Sequence, residues 1–158
     1  MKTTIYTILA SLMTLSVWAG DPVWLEDKTD AQYQITVYHS PSCGCCKSWI
    51  SHLKDHDFEV TGVPVENVNK FKTLFNVPSD AASCHTALVN GITIEGHVPA
   101  QDIKRLLTEK SDIRLLTVPA MPSGTPGMDM AGAAKDNFNV YSVDKHDQVE
   151  IYRSYSSY

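Results

Sequence analysis

Asn90-Gly91 stands between residues 86–89 and 92–94, two short runs dominated by β-branched and apolar side chains. Asn-Gly accepts the left-handed backbone that a two-residue turn demands, so the two runs are expected to pair as an antiparallel hairpin. The rest of the chain must be arranged around that hairpin. Upstream, residues 33–38 alternate and are rich in aromatic and β-branched types, which predicts a strand. A helix is predicted from about Cys45 to Asp57, with Trp49, Ile50 and Leu53 on one face. Residues 58–65 read as a second strand. Residues 67–76 read as a second helix, closed by Pro78 beyond its end. Downstream, Pro99 suits the first turn of a third helix carrying Ile103, Leu106 and Leu107. The order β-α-β-α-β-β-α predicts an α/β fold of thioredoxin-like type, a central mixed β-sheet flanked by helices. Residues 113–118 form one more extended piece. Residues 119–134 are rich in Gly, Pro and Ala and show no period, so they are read as a Gly/Pro/Met loop. Residues 141–143 and 149–152 predict a C-terminal β-hairpin. Residues 20–33 are polar and read as a loose lead. No internal repeat or second domain is visible.

The first 19 residues carry one positive charge, Lys2, then an apolar run, then Val17-Trp18-Ala19. That is the pattern of a secretory signal peptide, with cleavage expected after Ala19. The run is shorter than the roughly 20 apolar residues of a spanning helix. Residues 1–19 are therefore the expected signal, and residues 20–158 a single domain long enough for a core. Removing the signal leaves 12 Lys and Arg against 18 Asp and Glu, a formal charge of −6 where the full chain has −5. No basic stripe exists, which argues against nucleic acid or anionic lipid as partner. An exported chain with cysteines can form disulfides, and four cysteines allow three pairings.

The cysteines are Cys43, Cys45, Cys46 and Cys84. Three readings compete. Cys43 and Cys46 form a Cys-x-x-Cys at a helix start, the signal of a thiol–disulfide pair. Against this as the main activity, Cys45 is an extra thiol, and Cys84 stands roughly where thioredoxin-type oxidoreductases place a proline. A purely structural scaffold ranks last, because Cys45 and Cys46 are neighbours and a bridge between them would be strained. The third reading is a metal site. Two separated Cys-x-x-Cys pairs, the usual zinc spacing, are absent. Thiolate and thioether together select Cu(I).

If the strand directions are right, one end of the sheet receives Cys43, Cys45 and Cys46 from the first strand and Cys84 and His85 from the start of the third. The end of the fourth brings His97. Met121 then returns near the same edge. A helix N-terminus presents unpaired N–H groups and a positive dipole end, which favour thiolates there. Gly44 is expected to let the backbone turn tightly between cysteines. Methionines are usually core filler, but Met121, Met128 and Met130 lie where no helix or strand period would bury them. Met121 is read as ligand or lid, and Met128 and Met130 are balanced between ligand and filler. His85 and His97 are candidate ligands. His52 and His56 have ligand spacing but lie far along the helix, so His56 is expected to complement its C-terminus. His39 has little weight, and His146 reads as a surface turn residue.

Ser42-Cys43-Gly44-Cys45-Cys46-Lys47-Ser48-Trp49, then Ser83-Cys84-His85-Thr86-Ala87, then Glu95-Gly96-His97-Val98-Pro99-Ala100, then Pro119-Ala120-Met121-Pro122 with Gly124-Thr125-Pro126-Gly127-Met128 resemble the CopG-type copper-resistance proteins. The resemblance spans about residues 33–130. It implies a thioredoxin-like periplasmic protein that holds a cysteine-bridged, multinuclear Cu(I) cluster. By position, Cys43, Cys45, Cys46 and Cys84 would be the thiolate ligands, with Met121 and the nearby histidines His85 and His97 as additional ligands, while Met128 stays a candidate ligand on its loop position. Copper ions would be the ligand, and other periplasmic copper-handling proteins the partners. Proteins of this kind are proposed to interconvert Cu(I) and Cu(II), so a copper oxidoreductase is one expectation. A thiol–disulfide oxidoreductase and a non-catalytic copper chaperone are the alternatives. Ala120 departs from the pattern, where glycine is expected.

Overall fold

The structure is a computed structural model and describes residues 21–109 and 111–158. The expected signal, residues 1–19, lies outside the described residues. The elements are β1 Tyr33–His39, α1 Gly44–Asp55, β2 Phe58–Pro64, α2 Asn69–Leu74, β3 His85–Val89, β4 Ile92–Glu95, α3 Ala100–Thr108, β5 Ile113–Thr117, β6 Phe138–Asp144 and β7 Val149–Tyr155. One sheet takes all seven strands in the order β2-β1-β3-β4-β5-β6-β7. β1 runs parallel to β2 and antiparallel to β3, β3 is antiparallel to β4, and β4 is parallel to β5. This is the predicted mixed α/β sheet, and its first four strands are compatible with the thioredoxin-like arrangement.

The Asn90-Gly91 turn forms as expected, with φ of 48° and 80°. Both residues are left-handed, as a tight hairpin with matched twist requires. β1 buries alternate residues, Ile35 and Val37 among them, because side chains on a strand point to opposite faces. α1 lays Trp49 and Leu53 against that sheet, and α3 adds Ile103 and Leu106. Pro99 is the residue before α3 rather than part of its first turn.

Two sequence expectations change. The polar lead is not loose: Pro22–Leu25 form a 3-10 turn that buries Trp24. The Trp24 indole N–H donates to the Gly124 carbonyl at 3.0 Å, and its rings pack against Phe138, Tyr155 and Tyr158. Asp21 pairs with Lys135 at 2.5 Å, and the Asp21 amide donates to Asp129 at 2.7 Å. The N-terminal segment thus clasps the loop of residues 119–134. The C-terminal hairpin also has a larger role than its sequence indicates. β6 pairs antiparallel with β5 and carries β7 outside it, extending the sheet by two strands. Among the described residues, no helix is long and apolar enough to cross a membrane.

Candidate metal centre

The turn after β1 is closed by the Cys43 amide donating to the Ser40 carbonyl at 3.1 Å. Cys43 is the N-cap of α1, and its sulfur accepts the Cys46 amide at 3.2 Å. Helix starts leave such amides unpaired, and a sulfur here satisfies one of them. Gly44 is not needed for the turn: a Cβ there would meet nothing within 4 Å, and its φ is not left-handed. The tight geometry comes from Cys43 leaving the helical path instead.

Cys43 and Cys46 are joined as a disulfide, with Cα atoms 5.4 Å apart. Cys45 and Cys84 are free thiols. Cys45 Sγ lies 3.5 Å from Cys43 Sγ and 3.9 Å from Cys84 Sγ. The pairing of His39 with His85 between β1 and β3 brings Cys84 beside the α1 start. All four sulfurs lie within 4.8 Å of one another.

A second donor group shares Cys84. Its sulfur is 3.2 Å from His85 Nδ1 and 3.1 Å from His97 Nε2. These three donor atoms also lie within 4.8 Å of one another. Gly96 makes this placement feasible. Its φ is 70°, and a Cβ there would sit 2.5 Å from both Ser83 Oγ and the Val118 carbonyl, so only glycine passes. The His97 tautomer follows from its neighbour. Nδ1 faces the Pro126 carbonyl at 2.8 Å and must donate, which leaves the Nε2 lone pair aimed at Cys84 in the neutral ring. His85 is fully buried, and its Nε2 has no hydrogen-bond partner among the described residues.

Burial lowers the pKa of both rings, His85 well below the usual imidazole value with the His97 and Lys72 charges adding to it. Neutral imidazoles are the form that binds metal. Cys84 behaves oppositely to a helix-start thiol. Burial first, then Cys45, push its pKa up to about 12. It lies at the start of β3, where burial and the neighbouring Cys45 outweigh the nearby α1 start, and it stays a thiol until a cation compensates the charge.

The loop of residues 119–134 is seated on this centre. The Ala120 amide donates to the Ala82 carbonyl at 3.2 Å, and Ser83 Oγ donates to the Ala120 carbonyl, so Met121 follows directly on the Cys84 segment. Ala120 has φ 58°, which explains why glycine suits the position. Gly127 packs against the Cys45 carbonyl and the Trp49 amide, bringing the backbone at Met128 to α1. Met128 is half-buried, whereas Met121 and Met130 are 51% and 69% exposed, out at the rim. The structure thus brings together Cys43, Cys45, Cys46, Cys84, His85 and His97, while the contacts beside the methionines are made by the preceding residues, Ala120 and Gly127.

The remaining histidines stay outside both donor groups. His39 Nδ1 donates to the Ser40 carbonyl at 2.9 Å. His52 Nε2 accepts the Ala100 amide at 3.0 Å, and His56 caps α1 while donating to the Trp24 carbonyl. His146 is exposed in a turn, as read. Sequence reasoning missed one supporting group. Glu95 is buried, paired with Lys72, accepts the Thr86 hydroxyl at 2.7 Å and accepts the Ser83 amide at 2.6 Å. It anchors the residue preceding Cys84. Its only sequence trace is a charged residue ending an apolar strand.

Fold and site together define an α/β domain with a cysteine cluster capable of binding metal. A family model described as "Protein of unknown function, DUF411" matches residues 81–128. The structure is similar to one described as "Copper resistance protein copG- Form 2", with TM-score 0.75 and 35% identity, covering 80% of this chain and 100% of that one. It is also similar to "Copper resistance protein copG- Form 1", with TM-score 0.74 and 37% identity, covering 78% and 98%. The chain belongs to the CopG family of copper resistance proteins. No curated protein sequence matches it.

Proposed function

We propose that this chain is a periplasmic copper-resistance protein that binds several Cu(I) ions through bridging cysteines and interconverts Cu(I) and Cu(II). The observation that carries the reading is Cys84, whose sulfur belongs both to a four-sulfur group and to a group with two imidazoles. One Cu(I) is satisfied by two or three soft donors, so two groups joined by one sulfur exceed the needs of a single ion. Thiolate and imidazole are both suited to copper. The Cys43–Cys46 disulfide must first accept two electrons to release its thiolates. Met121 from the exposed rim and the half-buried Met128 are then further ligands, and residues 1–19 direct export.

The test is anaerobic titration of the reduced protein with Cu(I). More than one tightly held copper per chain is expected, with tight binding lost in Cys45→Ser combined with Cys84→Ser. Zero stoichiometry, or tight binding in that double variant, would sink the reading. N-terminal sequencing of the exported protein should begin at Gly20.

The disulfide favours a second reading, a thiol–disulfide oxidoreductase using Cys43 and Cys46. It predicts reductase turnover without copper and indifference to loss of Cys84. Copper transfer to a partner without redox turnover would instead mark a chaperone.

A further inference from the structure

The four cysteines are chemically unequal in their arrangement. Cys43 and Cys46 are covalently joined, while Cys45 and Cys84 are free and 3.9 Å apart. The joined pair has a Cα separation of 5.4 Å, within the range that a disulfide spans without backbone movement. The free pair keeps the whole imidazole side of the centre: Cys84 retains His97 Nε2 at 3.1 Å and His85 Nδ1 at 3.2 Å. Closing the disulfide therefore removes two sulfurs and leaves a mixed sulfur–nitrogen seat in place. Imidazole suits copper, and the thiolates hold the reduced ion. Cys45 links the two subsets, its sulfur within 3.5 Å of Cys43 and 3.9 Å of Cys84.

We propose that the Cys43/Cys46 dithiol is the electron source for Cu(II) reduction, with Cys84, His85 and His97 as the landing seat. This inference rests on the copper-binding reading above. The step balances as follows. The two thiols and two Cu(II) ions give one Cys43–Cys46 disulfide, two Cu(I) ions and two protons. One S–S bond forms, two S–H bonds break, and each copper takes one electron. Cys45 and Cys84 are not consumed and hold product Cu(I). The centre is then spent after two coppers until a dithiol reopens the bridge. An incoming thiolate meets Cys43 first, because Cys43 is half-buried and Cys46 is fully buried. Attack on an accessible sulfur through a mixed disulfide is the ordinary route of exchange.

The test starts from fully reduced, metal-free protein under anaerobic conditions. Cu(II) sulfate is added in steps, and Cu(I) is read with a Cu(I)-selective chelator. Free thiols are then alkylated in denaturant and mapped by peptide mass spectrometry. The expected result is a plateau at two Cu(I) per chain, with Cys43 and Cys46 bridged and Cys45 and Cys84 alkylated. Excess dithiothreitol, removed before a second addition of Cu(II), should restore a second burst of the same size. Cys43→Ser and Cys46→Ser should each cut the Cu(I) yield at least tenfold. A bridge joining Cys45 to Cys84, Cu(I) formed with all four thiols intact, or no Cu(I) formed would overturn the proposal. So would a full burst in either serine variant. The wild-type thiol map decides the matter even if a variant fails to fold. Cu(I) titration of the same reduced stock tests copper binding alone, which separates failure of this step from failure of the binding reading.

Discussion

Replacing Gly127 with alanine places a methyl group where α1 leaves no room. A Cβ at this position would lie 2.7 Å from the Trp49 amide nitrogen and 2.9 Å from the Cys45 carbonyl oxygen, and the residue sits at φ 83°. Those atoms are main chain within a helix and cannot swing aside. Left-handed backbone costs alanine about 1–2 kcal/mol. Overpacking against fixed neighbours adds about 1–3 kcal/mol. If the loop stays seated, the expected loss of stability is therefore about 2–5 kcal/mol. If the loop lifts instead, the Pro126 carbonyl leaves His97 Nδ1, and a hydrogen bond of about 1 kcal/mol is lost. His97 then loses the acceptor that sets its tautomer. Partners of that kind are worth about 10–100-fold in metal affinity. The assay is urea denaturation of the metal-free protein beside competitive Cu(I) titration. Stability should fall by at least about 1 kcal/mol and affinity by about tenfold. Gly44→Ala is the internal control, since a Cβ there meets nothing within 4 Å. Stability within about 0.5 kcal/mol of wild type together with unchanged affinity would refute the packing argument.

Removing one member of the buried Lys72–Glu95 pair leaves an uncompensated charge, so Glu95→Gln should cost about 3–5 kcal/mol by urea denaturation. Replacing both with apolar residues should recover much of that loss, and a single variant within 1 kcal/mol of wild type, roughly the noise of such series, would contradict it. Burial, then the His56 and Lys28 charges, hold His52 well below its usual pKa, and only its neutral ring accepts the Ala100 amide. The unfolded chain thus binds the extra proton first. Stability should be full above pH 6.5, the ordinary His pKa, and fall below it by up to about 1.4 kcal/mol per pH unit. His52→Gln should flatten that slope in metal-free protein, as read by thermal melts between pH 7 and 5. Ala120→Gly relieves a left-handed alanine worth about 1–2 kcal/mol against an unfolded-state penalty of about 0.4–1 kcal/mol, so a gain between zero and about 1.6 kcal/mol is expected in the same melts.

Features governed by local chemistry were legible in the chain. The Asn90-Gly91 turn, the alternation in β1 and the face of α1 each depend on a few neighbouring residues, and each appears as read. Trp24 was hidden because a single aromatic in a polar run makes no period, although its partners Phe138, Tyr155 and Tyr158 all lie more than 100 residues later. The docking of β6 on β5 was hidden for the same reason, since it closes across the irregular loop between them. At the site, sulfur clustering and strand direction were enough to gather six donors. The orientation of His97 was not, because its partner is a backbone carbonyl, which every residue carries. The disulfide was one of the readings left open. The raised Cys84 pKa had no sequence signal, because the thiolate expectation concerned the cysteines at the α1 start and the burial of a strand-start thiol is set by the packed fold.

Cys84 also governs how the protein tolerates mutation. Cys43, Cys45 and Cys46 each belong to one donor group, and His85 and His97 each belong to the other. Cys84 alone is in both. Residues that act through a shared partner depart from additivity. Losses at Cys45 and His97 should compound while Cys84 is present and cease to compound once it is gone. The six positions are therefore not six independent safeguards: for copper binding, Cys84 is the position whose single loss should cost most.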